Sequence, residues 1–573
     1  MHHPAAEPRP SLYYPYQVFK PWLPEEQAPH ARQQVVIAGS GPAGMVTALE
    51  LARHGVASVI VTAERQFSQG SRAIVFTRRS MEILQQLGVD RKMTAMGLPW
   101  RNGNSFYRGE RVFRMEAPHD SDDRFHPMLN LQQQYLEQFL HEACAASPLI
   151  DFRWGNKVCE VTQREHHAEV LIDTPAGAYT METAWLVDAT GGRSAIRAAL
   201  DLKMEGASYE GLFVIADIKA DLPLPTERRA YFDPDWNRGN TVLMHREPHG
   251  IWRIDYQLPP GESPEEALRE ASLKRRIAAQ LDMIGHGDVP WELDWSSVYS
   301  ARALTLPRYR HGSVLFAGDA AHLLPIFGVR GANTGFQDAQ ALGWQLAYVL
   351  KGLAGEELLE NYSAERVGAA REIIEEAGKS TRFMTPPTPG FRLLRDAVLS
   401  LSLKEEFVRP LYHWRTSRPH EYGDSSLNCA EDDNAAFANG PRRGASAANV
   451  QLDTDDFLLD HLGGAAGGGF DLLYFSAADS LPASLKDAIG VLRAQGMLLR
   501  VTVAGTPGPV DGADQALADP NGRLRARYGV ESDGAAYLLR PDQHVCARWK
   551  ALDAERLRAA IGHIFPKLKG ARK

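Results

Sequence analysis

Residues 34–64 constrain the fold more than any other part of this 573-residue chain. Residues 35–38 are a short apolar run typical of a buried strand, and residues 45–53 carry apolar side chains at helical spacing. A glycine turn, residues 39–44, lies between them, and a second strand-like run, residues 57–61, follows the helix. A strand, a tight turn, a helix and a strand in this order predict a β-α-β unit and a parallel sheet.

The glycine turn reads Gly-Ser-Gly-Pro-Ala-Gly and fits the spacing Gly-x-Gly-x-x-Gly. Gly39 permits the tight turn, Gly41 lets the backbone approach a pyrophosphate, and Gly44 permits close packing of the helix on the strand. The helix N-terminus adds a positive dipole for phosphate groups. Glu64, after the second strand, is placed to bind a ribose hydroxyl. We interpret this arrangement as a dinucleotide site, the alternative being an ordinary turn.

A second motif lies far along the chain, where a strand-like run, residues 314–317, ends in Gly318 and Asp319. An acid at the carboxyl end of a strand is well placed to accept a hydrogen bond from a sugar or ribityl hydroxyl. Glycines that let the backbone approach a flat ring follow at Gly328, Gly331 and Gly335.

The pairing of these motifs resembles the single-component FAD monooxygenases, or flavoprotein aromatic hydroxylases. Their hallmark is an N-terminal Gly-x-Gly-x-x-Gly with a distal Gly-Asp-Ala-Ala-His, here residues 318–322. The resemblance covers about residues 30–400 and is strongest to the 3-(3-hydroxyphenyl)propionate hydroxylase-like branch. It implies that Arg72 and Gln133 reach the FAD. The expected cofactor-binding residues are Gly39, Gly41, Pro42, Ala43, Gly44, Glu64, Arg65, Arg72, Gln133, Val158, Gly318, Asp319, Gly328, Gly331, Ala332 and Asn333.

The resemblance also implies an activity. FAD would be reduced by NADPH or NADH and would use O2 to hydroxylate a phenolic or other aromatic acid through a flavin hydroperoxide. The sequence has one dinucleotide fingerprint, so we expect the nicotinamide cofactor to bind transiently. A single fingerprint argues against Baeyer–Villiger enzymes, and the lack of Cys-x-x-Cys argues against disulfide reductases. The sequence also lacks the Trp-x-Trp-x-Ile-Pro stretch of flavin halogenases.

Two positions depart from the pattern of these hydroxylases. Thr190 stands where the family has an acid linked to FAD and the nicotinamide cofactor, and Pro325 is followed by Ile326 instead of a second proline. These departures keep a second hypothesis open, an FAD-dependent epoxidase or tailoring enzyme with a non-phenolic substrate. A third hypothesis is a non-catalytic flavoprotein whose C-terminal part mediates protein contacts. Substrate-stimulated NAD(P)H oxidation would separate the third hypothesis from the other two.

The substrate is expected between the flavin and an inserted, mostly β segment, residues 210–300. Arg253 is a candidate partner for a substrate carboxylate and Tyr256 for a phenol. A strand directs half of its side chains away from any one face, so each candidate is weighed against a packing role. We assign no catalytic base, because a role in holding its loop explains His322 at least as well. The candidate wall residues are Tyr231, His245, Trp252, Arg253, Asp255, Tyr256, Pro325 and Ile326.

The predicted fold class is α/β, with a Rossmann-type FAD-binding domain, an inserted mostly β substrate domain and a C-terminal thioredoxin-like domain. The C-terminal part resembles the thioredoxin-like domain of some hydroxylases at residues 537–542, and its predicted order is strand, helix, strand, hairpin and helix. Without Cys-x-x-Cys we expect this domain to be redox-inert, to serve structure or subunit contact, as in a homodimer, and to be dispensable for flavin chemistry. The expected boundaries are 1–30 for an N-terminal extension, 31–209 and 301–385 for FAD binding, 210–300 for the substrate domain, 386–450 for a helical or linker segment and 451–573 for the thioredoxin-like domain.

Composition argues against several other classes of protein. Lys and Arg number 63 against 71 Asp and Glu, a net charge of −8 without a basic block, so we expect no nucleic-acid partner. The four cysteines are isolated, which argues against a disulfide framework or a zinc site, and we expect no metal. The sequence has neither a signal-like start nor a run of about 20 apolar residues, so we expect a cytoplasmic protein with no membrane segment.

Overall fold

The computed structural model describes residues 4–24, 32–70, 73–325, 327–412, 419–463 and 468–566. These residues form a mixed α/β structure built on two eight-stranded sheets and one five-stranded sheet, with two smaller sheets of three and two strands.

The strands, in chain order, are β1 (Gln33–Ala38), β2 (Ser58–Val61), β3 (Val75–Thr77), β4 (Leu98–Trp100), β5 (Asn102–Tyr107), β6 (Glu110–Glu116), β7 (Met128–Asn130), β8 (Ile150–Arg153), β9 (Lys157–Gln163), β10 (Ala168–Thr174), β11 (Gly177–Asp188), β12 (Glu205–Ala220), β13 (Arg228–Phe232), β14 (Thr241–Glu247), β15 (Ile251–Gln257), β16 (Trp291–Thr305), β17 (Arg310–His311), β18 (Val314–Phe316), β19 (His322–Leu323), β20 (Gln451–Asp453), β21 (Asp456–Phe457), β22 (Phe470–Phe475), β23 (Leu499–Ala504), β24 (Gln515–Leu517), β25 (Ala536–Leu539) and β26 (Val545–Trp549).

The α-helices, in chain order, are α1 (Pro42–Arg53), α2 (Arg78–Gln86), α3 (Asp90–Met96), α4 (Gln133–Ala145), α5 (Ala195–Ala199), α6 (Pro264–Ala267), α7 (Glu270–Met283), α8 (Gly331–Leu350), α9 (Glu357–Met384), α10 (Pro389–Ser402), α11 (Leu458–His461), α12 (Ala483–Ala494), α13 (Arg523–Tyr528) and α14 (Ala554–Ile564). Within the described ranges no helix has both the length and the apolar character needed to cross a membrane.

The first sheet contains the parallel core predicted from the glycine turn. Its order is β17-β18-β11-β1-β2-β8, with β10 and β9 attached beside β11. β1 pairs in parallel with β11 and with β2, and α1 packs against α4 and α8. The side chains of Val35, Val36 and Ile37 are completely buried, as expected where helices cover a parallel sheet. The predicted β-α-β unit is therefore confirmed.

The second sheet has the order β19-β16-β12-β15-β14-β13-β5-β6. It is antiparallel apart from the pair β13 and β5, and α7 packs on one of its faces through an apolar cluster. β5 and β6 belong to this sheet, although the sequence analysis assigned residues 102–116 to the FAD-binding part. Local patterns predict strands but not the sheet that a strand joins. β19 begins at His322, so this sheet ends beside the second motif.

The C-terminal unit, defined here as residues 468–566, contains a five-stranded sheet in the order β24-β23-β22-β25-β26. The predicted order of strand, helix, strand, hairpin and helix is confirmed by β22, α12, β23, β25, β26 and α14, with β24 and α13 in addition. Trp344 and Tyr348 of α8 share one apolar cluster with this unit. The ring of Tyr348 stacks on Phe565 with centroids 5.6 Å apart. The unit therefore packs directly on a helix of the predicted FAD-binding part.

Residues 4–24 contain no helix or strand, and we call them the N-terminal arm. Phe19 stacks on Trp154, beside the first sheet, with ring centroids 4.3 Å apart. The hydroxyl of Ser11 donates a 3.0 Å hydrogen bond to Asp294 of the second sheet. The arm therefore connects the two eight-stranded sheets.

Candidate active site

The glycine turn after β1 contains two glycines that the fold requires and one that it does not. Gly39 has a φ of +104°, and a Cβ there would lie 2.4 Å from the carbonyl oxygen of Ala189. A Cβ on Gly44 would lie 2.1 Å from the carbonyl oxygen of Gly39. Gly41 has a φ of −65°, and within the described residues nothing lies within 4 Å of where its Cβ would be. The open side of Gly41 is therefore available to a bound group.

The first turn of α1 lies beside this open space. Pro42 starts the helix, and within the described ranges no side chain caps its N-terminus. Uncapped first-turn N–H groups, such as that of Ala43, suit the oxygens of a phosphate. A Cβ on Gly318 would lie 2.9 Å from the Cβ of Ala43. The two glycine motifs, far apart in the sequence, therefore meet at one place.

The acid expected at the end of β2 contacts the N-terminal arm. Glu64 is 53% exposed and accepts a 2.8 Å hydrogen bond from Arg9. Arg65 donates from Nε to the carbonyl oxygen of Phe19 at 2.7 Å. Val158, another residue predicted to bind the cofactor, is buried on β9. The arm therefore lies along the edge where an adenosine ribose is expected, a contact that the sequence analysis did not predict.

The start of α4 contacts the described residues before and after Arg72 in the chain. Gln133 accepts the N–H of Ala73 at 3.0 Å and donates to Glu137 at 2.7 Å. Glu137 also accepts the N–H and the hydroxyl of Ser68, both at 2.7 Å. Arg72 itself lies outside the described residues. In this structure Gln133 holds Ala73 directly and Ser68 through Glu137.

The second motif forms a tight turn directly after β18. Gly318 has a φ of +60°, and its N–H donates to Asp338 at 3.1 Å. Asp319 is exposed, whereas Gly318 and Ala320 on either side are buried. His322 Nε2 lies 2.6 Å from Asp338 Oδ2. His322 therefore holds its loop through the carboxylate of Asp338, which is one of the two roles that the sequence analysis left open.

The loop that follows has an unusual backbone. Gly328 has a φ of +95°, and Val329 has a φ of +57°, which is rare for a β-branched residue. Asn333 stabilises this conformation by donating from Nδ2 to the carbonyl oxygen of Val329 at 2.8 Å. Its Oδ1 accepts the N–H of Thr77 at 2.9 Å. The Asn333 side chain is therefore committed to shaping the loop.

Helix α8 begins at this loop and points its N-terminus at the same region. Within the described ranges no side chain caps α8, and the position of a Cβ on Gly331 has no neighbour within 4 Å. A Cβ on Gly335 would lie 3.5 Å from the Cβ of Ala43 in the first motif. The first-turn N–H groups at Gly331 and Ala332 are therefore placed to meet an electronegative edge of a flat ring.

The sequence analysis missed a buried acid beside Thr190. Asp188 ends β11 and accepts hydrogen bonds from the N–H of Thr190 at 3.0 Å and from its hydroxyl at 2.6 Å. Burial raises the pKa of Asp188. Arg197 donates to the carbonyl oxygens of Gly192 at 2.7 Å and Ala320 at 2.9 Å, which ties this loop to the second motif. An acid at the end of a strand was the signal that could have identified Asp188.

One face of the second sheet contacts the loop after the second motif, and we call it the wall face. Phe213 lies opposite Tyr299 in the register, and its ring centroid is 5.6 Å from those of both Tyr299 and Phe327. Pro325 is buried, and Ile326 lies outside the described residues. The wall face therefore carries a packed aromatic cluster beside this loop, with Phe213 and Phe327 buried.

Strand alternation divides the predicted wall residues between the two faces of this sheet. The apolar cluster against α7 contains Tyr231, Trp252 and Tyr256. The alternate positions, on the wall face, carry His245, Arg253 and Asp255. Tyr256 is therefore not placed to bind a phenol on the wall face.

The positive charge of Arg253 is neutralised by the carboxylate of Asp217 on the neighbouring strand β12. Arg253 makes two hydrogen bonds of 2.8 Å to the carboxylate of Asp217, and its Nε lies 3.6 Å from Glu247. All three side chains are buried. A substrate carboxylate would have to compete with Asp217 for this guanidinium, which argues against the predicted pairing.

Asp255 and His245 are buried on the wall face with unused hydrogen-bonding atoms. Asp255 Oδ1 and His245 Nδ1 have no hydrogen-bond partner among the described residues. Burial raises the pKa of Asp255 to about 7, against the opposing effect of Arg253. Burial lowers the pKa of His245, so its ring is neutral. Buried polar atoms are normally paired, so these two are candidates to contact a bound molecule or water.

Comparisons with known proteins agree with this geometry. The sequence pattern of a family described as "FAD binding domain" matches residues 32–377. A 3-(3-hydroxy-phenyl)propionate/3-hydroxycinnamic acid hydroxylase from Mycolicibacterium gilvum (strain PYR-GCK) is 26% identical, over 90% of this chain and 88% of its own. A 6-methylpretetramide 4-monooxygenase from Streptomyces rimosus is 27% identical, over 95% of each chain.

A solved structure shares the fold over nearly the whole chain. The flavin-dependent monooxygenase PieE, determined in complex with FAD and substrate, has a TM-score of 0.78 at 24% identity and covers 95% of this chain and 100% of its own. The family match over residues 32–377, more than half of the chain, shows that the chain belongs to this FAD-binding family. The predicted class, an FAD-dependent aromatic hydroxylase (monooxygenase), is confirmed.

The residues at the site fit FAD. The open side of Gly41 and the uncapped start of α1 suit a pyrophosphate, and the exposed Asp319 lies beyond Gly318, against the same turn. The open start of α8 at Gly331 follows the loop that packs on the wall face through Phe327.

Proposed function

We propose that the chain hydroxylates a phenolic or other aromatic compound with O2 and NAD(P)H, at the wall face beside FAD. The convergence of the two glycine motifs, where a Gly318 Cβ would lie 2.9 Å from Ala43, carries this proposal. It supports a cofactor site that ends beside the aromatic cluster of Phe213, Tyr299 and Phe327. A homodimer stays a prediction.

We assign the parts of FAD from the chemistry of each position. Gly41 and the first turn of α1 bind the pyrophosphate, Glu64 the adenosine ribose, and Asp319 a ribityl hydroxyl. The N–H groups at Gly331 and Ala332 meet the flavin ring. Packing and hydrogen bonds of other predicted residues shape this cofactor site, namely Gly39, Gly44, Gln133, Gly328 and Asn333. Since the chain has one fingerprint, NAD(P)H binds transiently.

Bound FAD supplies the storage of electrons and the activation of oxygen. The protein's part is to bind the aromatic ring on the wall face, beside the packed cluster of Phe213, Tyr299 and Phe327, and to exclude water from it. Asp255 accepts a proton from a substrate hydroxyl, since a carboxyl with a pKa of about 7 exchanges protons readily near neutral pH. His245, held neutral by burial, is the other polar contact available on this face.

One observation favours a tailoring reaction on an uncharged polycyclic substrate as the second candidate function. Asp217 already neutralises Arg253, so this wall-face cation has limited capacity for a substrate carboxylate. The Streptomyces rimosus relative, a 6-methylpretetramide 4-monooxygenase, matches over 95% of both chains. The choice between an aromatic acid and a neutral polycyclic phenol is therefore an experimental question about this face.

The test is a screen of aromatic acids and neutral polycyclic phenols for stimulated NADH and NADPH consumption by the FAD-loaded protein. Product analysis with labelled O2 then detects one incorporated oxygen atom. Asp255→Asn should lower turnover of a phenol, whereas Tyr256→Phe, one residue further along but on the opposite face, should leave it near the wild-type rate. A holoenzyme that no member of either class stimulates would count against the proposal.

A further inference from the structure

Asp338 supports the turn that we assign to the FAD ribityl chain. Its Oδ2 accepts the N–H of Gly318 at 3.1 Å and lies 2.6 Å from His322 Nε2. Its Oδ1 accepts Nε of Arg366 at 2.6 Å. Burial alone would raise the pKa of Asp338, but His322 and Arg366 outweigh it and lower the pKa to about 2. Asp338 is therefore a buried, permanently charged anchor for this turn.

Arg366 continues the network away from the flavin turn. It donates to the hydroxyl of Tyr422 at 2.7 Å. The ring of Tyr422 packs against His544, with centroids 4.6 Å apart, and lies 5.2 Å from the guanidinium of Arg540. Both His544 and Arg540 belong to the turn between β25 and β26. Buried contacts therefore lead from the flavin turn into the C-terminal unit.

Arg540 ties that unit to the helices that carry the network. It makes two hydrogen bonds, of 2.6 and 3.0 Å, to Glu365, the residue before Arg366 on α9. It also bonds to Asp542, which accepts the indole N–H of Trp344 on α8 at 2.9 Å. Since α8 carries Asp338 and α9 carries Arg366, the turn between β25 and β26 fixes both helices at once.

Docking alone does not require such a network. The C-terminal unit already packs on α8 through Trp344, Tyr348 and Phe565. Apolar contacts of this kind tolerate small shifts, whereas a two-pronged arginine–carboxylate contact accepts one geometry. Buried charges are also costly unless every partner is in place. The network thus restrains the position of the unit relative to the flavin turn.

We propose that the C-terminal unit is part of the flavin site, with Arg540 as a positioning residue that acts through Glu365, Arg366 and Asp338 on the Gly318–Asp319 turn. The proposal rests on the assignment of that turn to FAD. It replaces the expectation that the C-terminal part is dispensable for flavin chemistry. Truncation of the unit should therefore weaken FAD binding.

Two variants test the proposal, one that removes a two-pronged contact and one that removes a single hydroxyl group. Arg540→Lys keeps the positive charge but removes the two-pronged contact with Glu365. Tyr422→Phe removes only the hydroxyl that accepts Arg366. The matched control is Arg548→Lys, because Arg548 is 4% exposed against 1% for Arg540. Its hydrogen bonds go to Asn434 at 2.8 Å and to the carbonyls of residues 434, 439 and 440, away from α8 and α9.

The readouts are hydrogen exchange of the Gly318 amide in the apoprotein, the Kd for FAD and the visible spectrum of the bound flavin. Arg540→Lys should speed Gly318 exchange and weaken FAD binding by about tenfold each and should shift the flavin band. Tyr422→Phe should act in the same direction by a smaller factor, and Arg548→Lys should change none of the three readouts.

Wild-type exchange and Kd in a folded Arg540→Lys protein would overturn the proposal. If Arg540→Lys does not fold, wild-type values in Tyr422→Phe would overturn it equally. A wild-type chain that fails to bind FAD would instead refute the proposed function, while Gly318 exchange in the apoprotein still tests the coupling.

Discussion

Replacement of Gly41 by alanine should separate a glycine needed by a ligand from one needed by the fold. Its φ of −65° and ψ of 172° are open to any residue, and within the described part of the chain its Cβ would meet nothing within 4 Å. The Gly41→Ala variant therefore gains no backbone strain, and its unfolded chain loses conformational freedom. The resulting gain in stability of about 0.4–1 kcal/mol is offset by the poorer fit of alanine at the N-cap of α1, which Gly41 occupies, so we expect the stability of the apoprotein to change by less than about 1 kcal/mol.

The effect on FAD binding should be larger than the effect on stability. The added methyl group of Gly41→Ala occupies the side from which the pyrophosphate approaches α1. Loss of one hydrogen bond to a charged group costs about 1.5–3 kcal/mol. Since about 1.4 kcal/mol is a factor of ten, FAD affinity should fall by roughly ten- to a hundredfold. Thermal unfolding of the apoprotein and fluorescence titration with FAD measure the two effects separately.

Three other glycines provide controls. Gly39→Ala and Gly44→Ala should destabilise the apoprotein itself, because their Cβ atoms would lie 2.4 Å and 2.1 Å from backbone oxygens. Gly368→Ala, in an open position of α9, should stabilise the protein without changing FAD affinity. A Gly41→Ala protein with wild-type FAD affinity would refute the placement of the pyrophosphate at this turn.

Three further predictions follow from the site. Asp319→Ala should weaken FAD binding by about 1–3 kcal/mol, because a ribityl hydroxyl loses its acceptor; full FAD occupancy at low free FAD would contradict the assignment. Gly328→Ala should strain a backbone with a φ of +95°. If substrate binding moves this loop, substrate-stimulated flavin reduction in stopped-flow experiments should fall more than FAD affinity, and equal losses would argue against such a movement. Asp255→Asn tests pH dependence: burial raises the pKa of Asp255 from 3.8 to about 7, so the folded wild type binds the proton more tightly than the unfolded chain and loses stability as pH rises from about 4 to 7. The stability of the variant relative to wild type should therefore grow across that window in urea unfolding, and a constant difference would contradict the raised pKa.

Local patterns were sufficient for much of the fold. The glycine turn predicted the β-α-β unit because Gly39 and Gly44 are required by close backbone contacts, with Ala189 and within the turn itself. The order of elements in the C-terminal unit was likewise readable from short apolar runs and helical spacing. Joining β5 and β6 to the second sheet was not readable, since strand pairing between distant segments leaves no local signal.

The candidate wall shows the same division. Strand alternation in the sequence places Tyr256 and Asp255 on opposite faces of the sheet. It does not reveal which of these two side chains lies on the face beside the loop after the second motif. That depended on α7, which packs on the Tyr256 face, and on Phe327, which packs on Phe213 of the other. Three aromatic residues predicted to line the substrate site therefore belong to the core between the sheet and α7, namely Tyr231, Trp252 and Tyr256.

The sequence by itself determined the cofactor class, because phosphate binding needs small residues and a helix start that are contiguous in the chain. Only the tertiary structure decided the charge state of the site, because burial and ion pairing bring together groups from separate segments. Asp217 neutralises Arg253 from a neighbouring strand, and Arg540 reaches Glu365 from the C-terminal unit. Such pairs depend on distances that no spacing along one segment encodes.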